Sequence, residues 1–356
     1  MFAIYLLLGA GIFMGWSLGT NDGANAFGTA VATGVVKYRT AIIIIAIFVI
    51  IGAAWLGDGN INKLDELSQL NGVSATEEVV NAAKDTGSLS NLRLKSALKA
   101  AIIFVCSAVT VFIMSYLKFP VSANQATIGA IMGWGVCYIG FDNATVWSKN
   151  LAKLGEFALT WVACPAGAAV ISFVITFLCN KFVVPRLSKL HHYDTVVKIG
   201  YLIAGAYAAF TIGQNSSASV TALYYDSVAG GEANLLGNAR LAAIIGGIAI
   251  AVGVLTYSKK VMTTVGNSIA PLTQIEGFLV VISTALTIML IGNIMQIPVS
   301  TSQATVGAVL GAGLTKGVKQ INFGVFKNIA IAWLSSPLAA GLLSFLVGLA
   351  TKFYFA

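Results

Sequence analysis

The chain has 356 residues, 57% hydrophobic and 10% charged, with a mean hydropathy of +0.86. A soluble domain carries about 25% charged residues, so this composition excludes an ordinary soluble protein and reads as a membrane protein. The net charge of +8 falls largely between apolar stretches, where it sets orientation, and does not point to nucleic acid.

Apolar runs lie near residues 2–36, 40–57, 97–117, 121–139, 155–182, 199–230, 238–256, 273–293, 299–315 and 324–350. About 20 such residues cross the hydrocarbon core as a helix. Alternation in ten-residue segments is missing, so an all-α bundle is expected rather than a barrel. The N-terminus lacks a basic leader and reads as a mature membrane helix. Cys106, Cys137, Cys164 and Cys179 have no CxxC spacing and read as small buried hydrophobes.

The first region would measure about 52 Å as one helix, too long for the bilayer. GTNDGANAF, residues 19–27, sits midway, and its Gly19, Asn21, Asp22 and Gly23 predict a break there. Asp22 is an acid inside a span, at a cost of about 2.5–3.5 kcal/mol. That points to a cation ligand or proton carrier rather than a simple helix cap. Beyond the second run, residues 58–91 form a loop holding six of the chain's thirteen acids, with a short surface helix expected within it.

FPVSANQATIGAIMGWG, residues 119–135, returns as IPVSTSQATVGAVLGAG, residues 297–313. Each proline, Pro120 and Pro298, marks a helix start or sharp break. Ser122 with Gln125, and Ser300 with Gln303, fit the SxxQ capping pattern. Two well-capped helices would be the bland reading. GxxxG pairs at Gly129–Gly133 and Gly307–Gly311 predict that the two PVS helices pack tightly on each other.

GQNSSASVT, residues 213–221, repeats the first polar motif, placing Asn215 on Asn21 and Ser219 on Asn25. The halves are thus 1–182 and 199–356, joined by a linker at 183–198 whose Arg186, Lys189 and Lys198 place it in the cytoplasm. His191 and His192 read as solvated linker residues. Five crossings per half would make the halves inverted-topology repeats, with loop 58–91 and both termini outside; a re-entrant PVS element would change the count. Four interrupted helices would then supply N-terminal N–H groups for an anion, and Asp22 with amide and backbone oxygens for a monovalent cation.

The doubled GxND-like and PVSxxQxxxG elements resemble the PiT family of inorganic phosphate transporters over nearly the whole chain. The resemblance implies a cation-coupled phosphate symporter of prokaryotic type. It places phosphate at Ser122, Asn124, Gln125, Ser300, Ser302 and Gln303. Sodium falls to Asn21, Asp22, Asn25, Asn215, Ser216 and Ser219, with Asp22, Asn25, Asn215 and Ser219 as direct ligands. Family members commonly carry an ND pair in both halves, whereas here the second reads Asn215, Ser216.

The expected partners are inorganic phosphate, Na⁺ or H⁺ as the coupling ion, the lipid bilayer of the inner membrane and, in a homo-oligomer, further copies of the chain. No resident cofactor is expected. A proton-coupled phosphate or sulfate permease and an anion channel are the rival readings. An intramembrane hydrolase has no HExxH or GxSxG motif to support it.

Overall fold

In hydrocarbon each backbone N–H must find its acceptor within its own segment, and runs of Ile, Leu, Ala and Val meet that demand by winding into helices. The computed structural model describes residues 2–56, 61–73, 85, 88–140, 142–187, 193–229, 239–295 and 299–355, and among them the regular structure is entirely helical. The first half holds α1 (Phe2–Ala32), α2 (Tyr38–Leu56), α3 (Ile61–Leu70), α4 (Leu89–Tyr116), α5 (Ala123–Ile139) and α6 (Ala144–Phe182). After the short α7 (Val184–Leu187), the second half holds α8 (Tyr193–Ala229), α9 (Ala239–Tyr257), α10 (Lys259–Asn267), α11 (Gln274–Met295), α12 (Thr301–Leu314) and α13 (Phe323–Phe355). Seven of these helices are long and apolar enough to cross a membrane, which makes this a multi-pass membrane protein. His191 and His192 lie outside the described residues, as do Lys189, Pro298 and most of loop 58–91.

The expected break at GTNDGAN is not formed. α1 runs unbroken through it, and α8 runs unbroken through GQNSSASVT. Two local reasons explain this. The side chains of Asn21, Asp22 and Asn25 bond to other elements and do not compete for their own backbone. Gly19, although a weak helix former, serves packing: a Cβ there would overlap the Ile250 carbonyl of α9, and one at Gly253 would overlap that of Trp16. The second half repeats the device, with Gly213 of α8 on Val49 and Gly52 of α2 on Phe210.

The chain breaks instead at the two PVS elements, and both are re-entrant. α4 runs parallel to α1, with the Trp16 and Phe112 ring centroids 5.1 Å apart and Asn21 Nδ2 2.9 Å from Ser115 Oγ. α5 then turns back. Its Gly135 lies against Asn71, just beyond α3, while Lys99 near the start of α4 donates to Gly72 O at 2.9 Å. The α4–α5 hairpin thus enters and leaves on one side, at the N-terminal end of α1. The α11–α12 hairpin opens at the other end: Lys316 after α12 meets Glu276 of α11 at 2.5 Å, and Thr29 near the end of α1 donates to Gly277 O at 3.0 Å. Each half therefore combines three long helices with one hairpin, and the two hairpins open at opposite ends of α1, where five separate spans per half were expected.

The two GxxxG pairs do not pack on each other. A Cβ at Gly129 or Gly133 of α5 would overlap the carbonyls of Pro337 and Gly341 in α13, and one at Gly307 or Gly311 of α12 those of Pro165 and Ala169 in α6. Each hairpin arm is seated on the long proline-bearing helix of the opposite half. The sequence carries a third repeat that matches this seam, WVACPAGAAVISF at 161–173 and WLSSPLAAGLLSF at 333–345.

The helix expected in loop 58–91 is α3, and it reaches inward. Leu67, Asn71 and Val73 are buried, and Asn71 and Asn150 of α6 exchange amide bonds at 3.0 and 3.2 Å.

Candidate functional site

The tips of the two hairpins meet between α1 and α8. At each tip a serine in extended conformation caps the returning helix: Ser122 Oγ accepts from Gln125 N at 3.3 Å, and Ser300 Oγ from Gln303 N at 3.2 Å. The capping serines are as expected, but the glutamine side chains do not close the box. Gln125 Oε1 and Gln303 Oε1 are buried with no hydrogen-bond partner. The next N–H groups of each helix have no intrahelical acceptor, as at any helix start. Two positive helix ends thus approach one another where the tips meet, Asn124 Nδ2 lying 3.4 Å from Val299 O.

The extended segments before the caps are held by the two motif asparagines. Asn21 receives Val121 N–H at 3.1 Å and donates to Phe119 O at 3.0 Å. Asn215 receives Val299 N–H at 3.2 Å and donates to Val299 O at 2.8 Å. Both asparagines therefore replace the backbone bonds that the break removes. The long helices assist from outside, Trp333 Nε1 donating to Pro120 O at 2.9 Å and Cys164 Sγ to Ser300 O at 3.5 Å. Cys164 is thus more than a small hydrophobe; all four cysteines are free thiols.

Bonds across the halves complete the site. Asn25 Nδ2 lies 3.0 Å from Thr301 Oγ1 and 3.1 Å from Ser302 Oγ. Ser302 Oγ is in turn 3.3 Å from Asn21 Oδ1 and 3.4 Å from Asp22 Oδ1. Ser219 Oγ donates to Asn124 Oδ1 in a short bond, and Asn124 Nδ2 reaches Val299 O at 3.4 Å. The pair Asn25–Ser302 is matched by Ser219–Asn124, with amide and hydroxyl exchanged. The serine that replaces the second asparagine of the motif therefore faces an amide supplied by the opposite hairpin.

Asp22 is buried at 4% exposure and has no basic partner among the described residues. Its Oδ2 accepts from Ser216 Oγ at 3.2 Å, and its Oδ1 lies 3.3 Å from Asn25 Nδ2. Asn25 Oδ1 beside it is buried and unpaired. A carboxylate buried there without a basic partner takes either a counter-charge or a proton. The site thus offers N–H and O–H donors at two helix starts for an anion, and a carboxylate with the unpaired Asn25 Oδ1 beside it for a cation.

All twelve residues expected at the site are gathered there and buried. Thr301 was missed because its counterpart in the repeat is Ala123, so the doubled pattern did not single it out. A second buried acid, Glu276, was also missed. It receives Thr273 N–H at 2.8 Å and pairs with Lys316, an arrangement the TxxE capping pattern could have announced.

Opposed re-entrant hairpins whose capped tips meet around buried polar groups define a membrane transporter rather than an enzyme. Comparison with known proteins gives the family. Residues 18–344 match the model described as the phosphate transporter family, and the chain belongs to that family. It is 30% identical over 330 residues to a candidate phosphate permease of Methanocaldococcus jannaschii, covering 93% of this chain and 92% of that one. A candidate phosphate permease of Haemophilus influenzae is 26% identical over 401 residues, covering 91% and 90%. Among solved structures, a sodium-dependent phosphate transporter superposes with a TM-score of 0.76 at 24% identity, over 99% of this chain and all of that one.

Proposed function

We propose that this chain imports inorganic phosphate with sodium by alternating access, and that its halves, 1–182 and 199–356 about the linker 183–198, act as inverted-topology repeats. The observation that carries the reading is the meeting of the two capped tips beside Asp22. Ser122 and Ser300 accept at their oxygens and keep their hydroxyl hydrogens for a ligand; with the free N–H groups at the starts of α5 and α12 they hold the phosphate oxygens. Asn124 and Ser302 flank them. The unpaired Gln125 Oε1 and Gln303 Oε1 accept from phosphate O–H groups. Sulfate lacks those protons at neutral pH and would leave the acceptors unpaired, a source of strong discrimination.

Sodium, a cargo rather than a resident metal, sits with Asp22 and Asn25, close to Ser216 and Ser219. Asn21 and Asn215 act mainly by holding the tips, since their amides are taken up by backbone. Anion and cation each offset the other's loss of water, which couples their binding. Positive-inside bias puts Lys37, Arg39, Lys259, Lys316 and the linker in the cytoplasm; α4–α5 then opens outward and α11–α12 inward. Each hairpin arm with the long helix that seats it, α5 with α13 and α12 with α6, forms a body able to rock about the site.

The test is labelled phosphate uptake into proteoliposomes with Na⁺ and pH gradients imposed separately. Sodium-driven uptake should be competed by phosphate and hardly by sulfate, and Asp22→Asn should abolish it while the protein stays folded. Full uptake by Asp22→Asn refutes the cation assignment.

A further inference from the structure

Two lysines stand deeper in the bundle than an interfacial lysine needs to. α9 and α10 run parallel to α1: a Cβ at Gly23 would lie 3.2 Å from Ser258, one at Gly28 3.4 Å from the Met262 carbonyl, and one at Gly266 would overlap Ala32. Lys260, between Ser258 and Met262, is therefore about one turn beyond the level of Asp22, and about 9 Å short of the level where Gly266 meets the end of α1. Lysines near a membrane surface turn their heads out toward water. Lys260 does the opposite. Its Nζ donates to the Tyr257 hydroxyl at 2.7 Å, one turn back along the chain, and lies 5.0 Å from the Tyr257 ring centroid and 4.5 Å from that of Tyr116 on α4. The second lysine, Lys118, follows Tyr116 by two residues at the tip of the α4–α5 hairpin, exposed and with a φ of 69°. Its N–H bonds to Ser115 O at 3.0 Å and that of Phe119 to Met114 O at 2.9 Å, a helix ending whose left-handed residue is usually glycine. Among the described residues neither lysine has an acidic partner.

We propose that Lys118 and Lys260, walled by Tyr116 and Tyr257, form a second anion site whose ligand is a phosphate group: either free phosphate or the head group of an anionic lipid. The hairpin turns back at Lys118, and beyond the turn its tip is open, with Tyr116 58% and Leu117 52% exposed. Charged side chains at such depth mark ion paths or find a counter-charge. The Lys260 ammonium has three donors and spends one on Tyr257, so the others are left for an acceptor. Ammonium–phosphate hydrogen bonds are charge-assisted and stronger than neutral ones. The two sources of that chemistry both fit the place. Lys118 is four residues before Ser122, so free phosphate moving between the tips and the cytoplasm, in the orientation proposed above, passes it. Basic positions between helices on the cytoplasmic side also take lipid head groups. The site differs in kind from the one at the tips, where the donors are hydroxyls and backbone N–H groups. It uses neither Asp22 nor sodium.

The experiment uses the full chain in detergent with two probes. Labelled inorganic phosphate is followed by equilibrium dialysis, and phosphatidylglycerol against phosphatidylcholine in mixed micelles by native mass spectrometry. The double variant Lys118→Gly with Lys260→Gln should weaken one of them about tenfold or more. If the source is free phosphate, a weaker class of bound phosphate disappears while the tighter class at the tips stays. If the source is lipid, retention of phosphatidylglycerol falls to that of phosphatidylcholine. Lys118→Arg with Lys260→Arg should keep the binding, and Lys149→Gln, at an exposed lysine on α6, should not alter it. Lys118→Gly alone removes a charge where the backbone favours glycine, so its unfolding temperature should hold or rise while binding falls, which a purely structural lysine would not show. A double variant that binds phosphate and retains phosphatidylglycerol as the native chain does overturns the inference. Uptake that ignores sodium would refute the coupling reading and leave this site untouched.

Discussion

Exchanging the members of one amide–hydroxyl pair tests whether the two sides of the site are chemically equivalent. Asn25→Ser removes the donor that reaches Thr301 at 3.0 Å and Ser302 at 3.1 Å. At about 1 kcal/mol net per hydrogen bond, the loss is about 2 kcal/mol, or roughly thirtyfold in the fraction of molecules with α1 joined to the α12 tip. Ser302→Asn alone brings a second amide against the first and strains a packed site, typically by about 1–3 kcal/mol. The double substitution recreates on this side the serine–asparagine arrangement of Ser219 and Asn124. It should recover most of either loss, with a coupling of about 1–3 kcal/mol in the double-mutant cycle. Thermal unfolding in detergent and the KM for phosphate are the readouts. Simple additivity of the two losses in both measurements would show that the pairs are not interchangeable and would refute the argument.

The seams between hairpin and long helix give a second prediction: Gly129→Ala or Gly307→Ala drives a methyl into a proline carbonyl and should lower stability by at least about 1–3 kcal/mol, seen as a reduced melting temperature and weaker uptake, while Gly155→Ala, where a Cβ meets nothing within 4 Å, should change neither. Asn71→Ala leaves the buried Asn150 amide without its partner and should cost about 1–3 kcal/mol, with faster hydrogen exchange in residues 61–73.

The number and extent of the main helices, and the membrane class, were legible because apolar runs of membrane length have few alternatives in lipid. The site was legible for a different reason: a repeat that preserves Ser122, Gln125, Ser300 and Gln303 in an apolar setting draws attention to residues that lipid would exclude. Partnership was not legible. Glycine and asparagine in GTNDGAN have the composition of a turn, and only the presence of α9 beside Gly19 and of the hairpin tip beside Asn21 turns them into packing and bonding positions on a straight helix. The hairpins were hidden for a related reason, since a run of about 20 apolar residues has the same composition whether it crosses or turns back. Gly129 and Gly307 announced close approach, but the neighbour expected for each, the other PVS helix, was the wrong one; the WxxxP repeat that supplies it lies in stretches that read as plain hydrophobic span.

The seating of each hairpin on the other half's proline helix means that neither half contains its own complement. Expressed alone, residues 1–182 would present the Gly129 and Gly133 surface with nothing of the right shape to fill it. Under the inverted-topology arrangement proposed above, a single copy would satisfy that surface by meeting a twin inserted upside down in the same membrane. The fused chain fixes that opposed pairing in one polypeptide, and so allows the two copies to diverge at Asp22 and Ser216 without losing the fit between them.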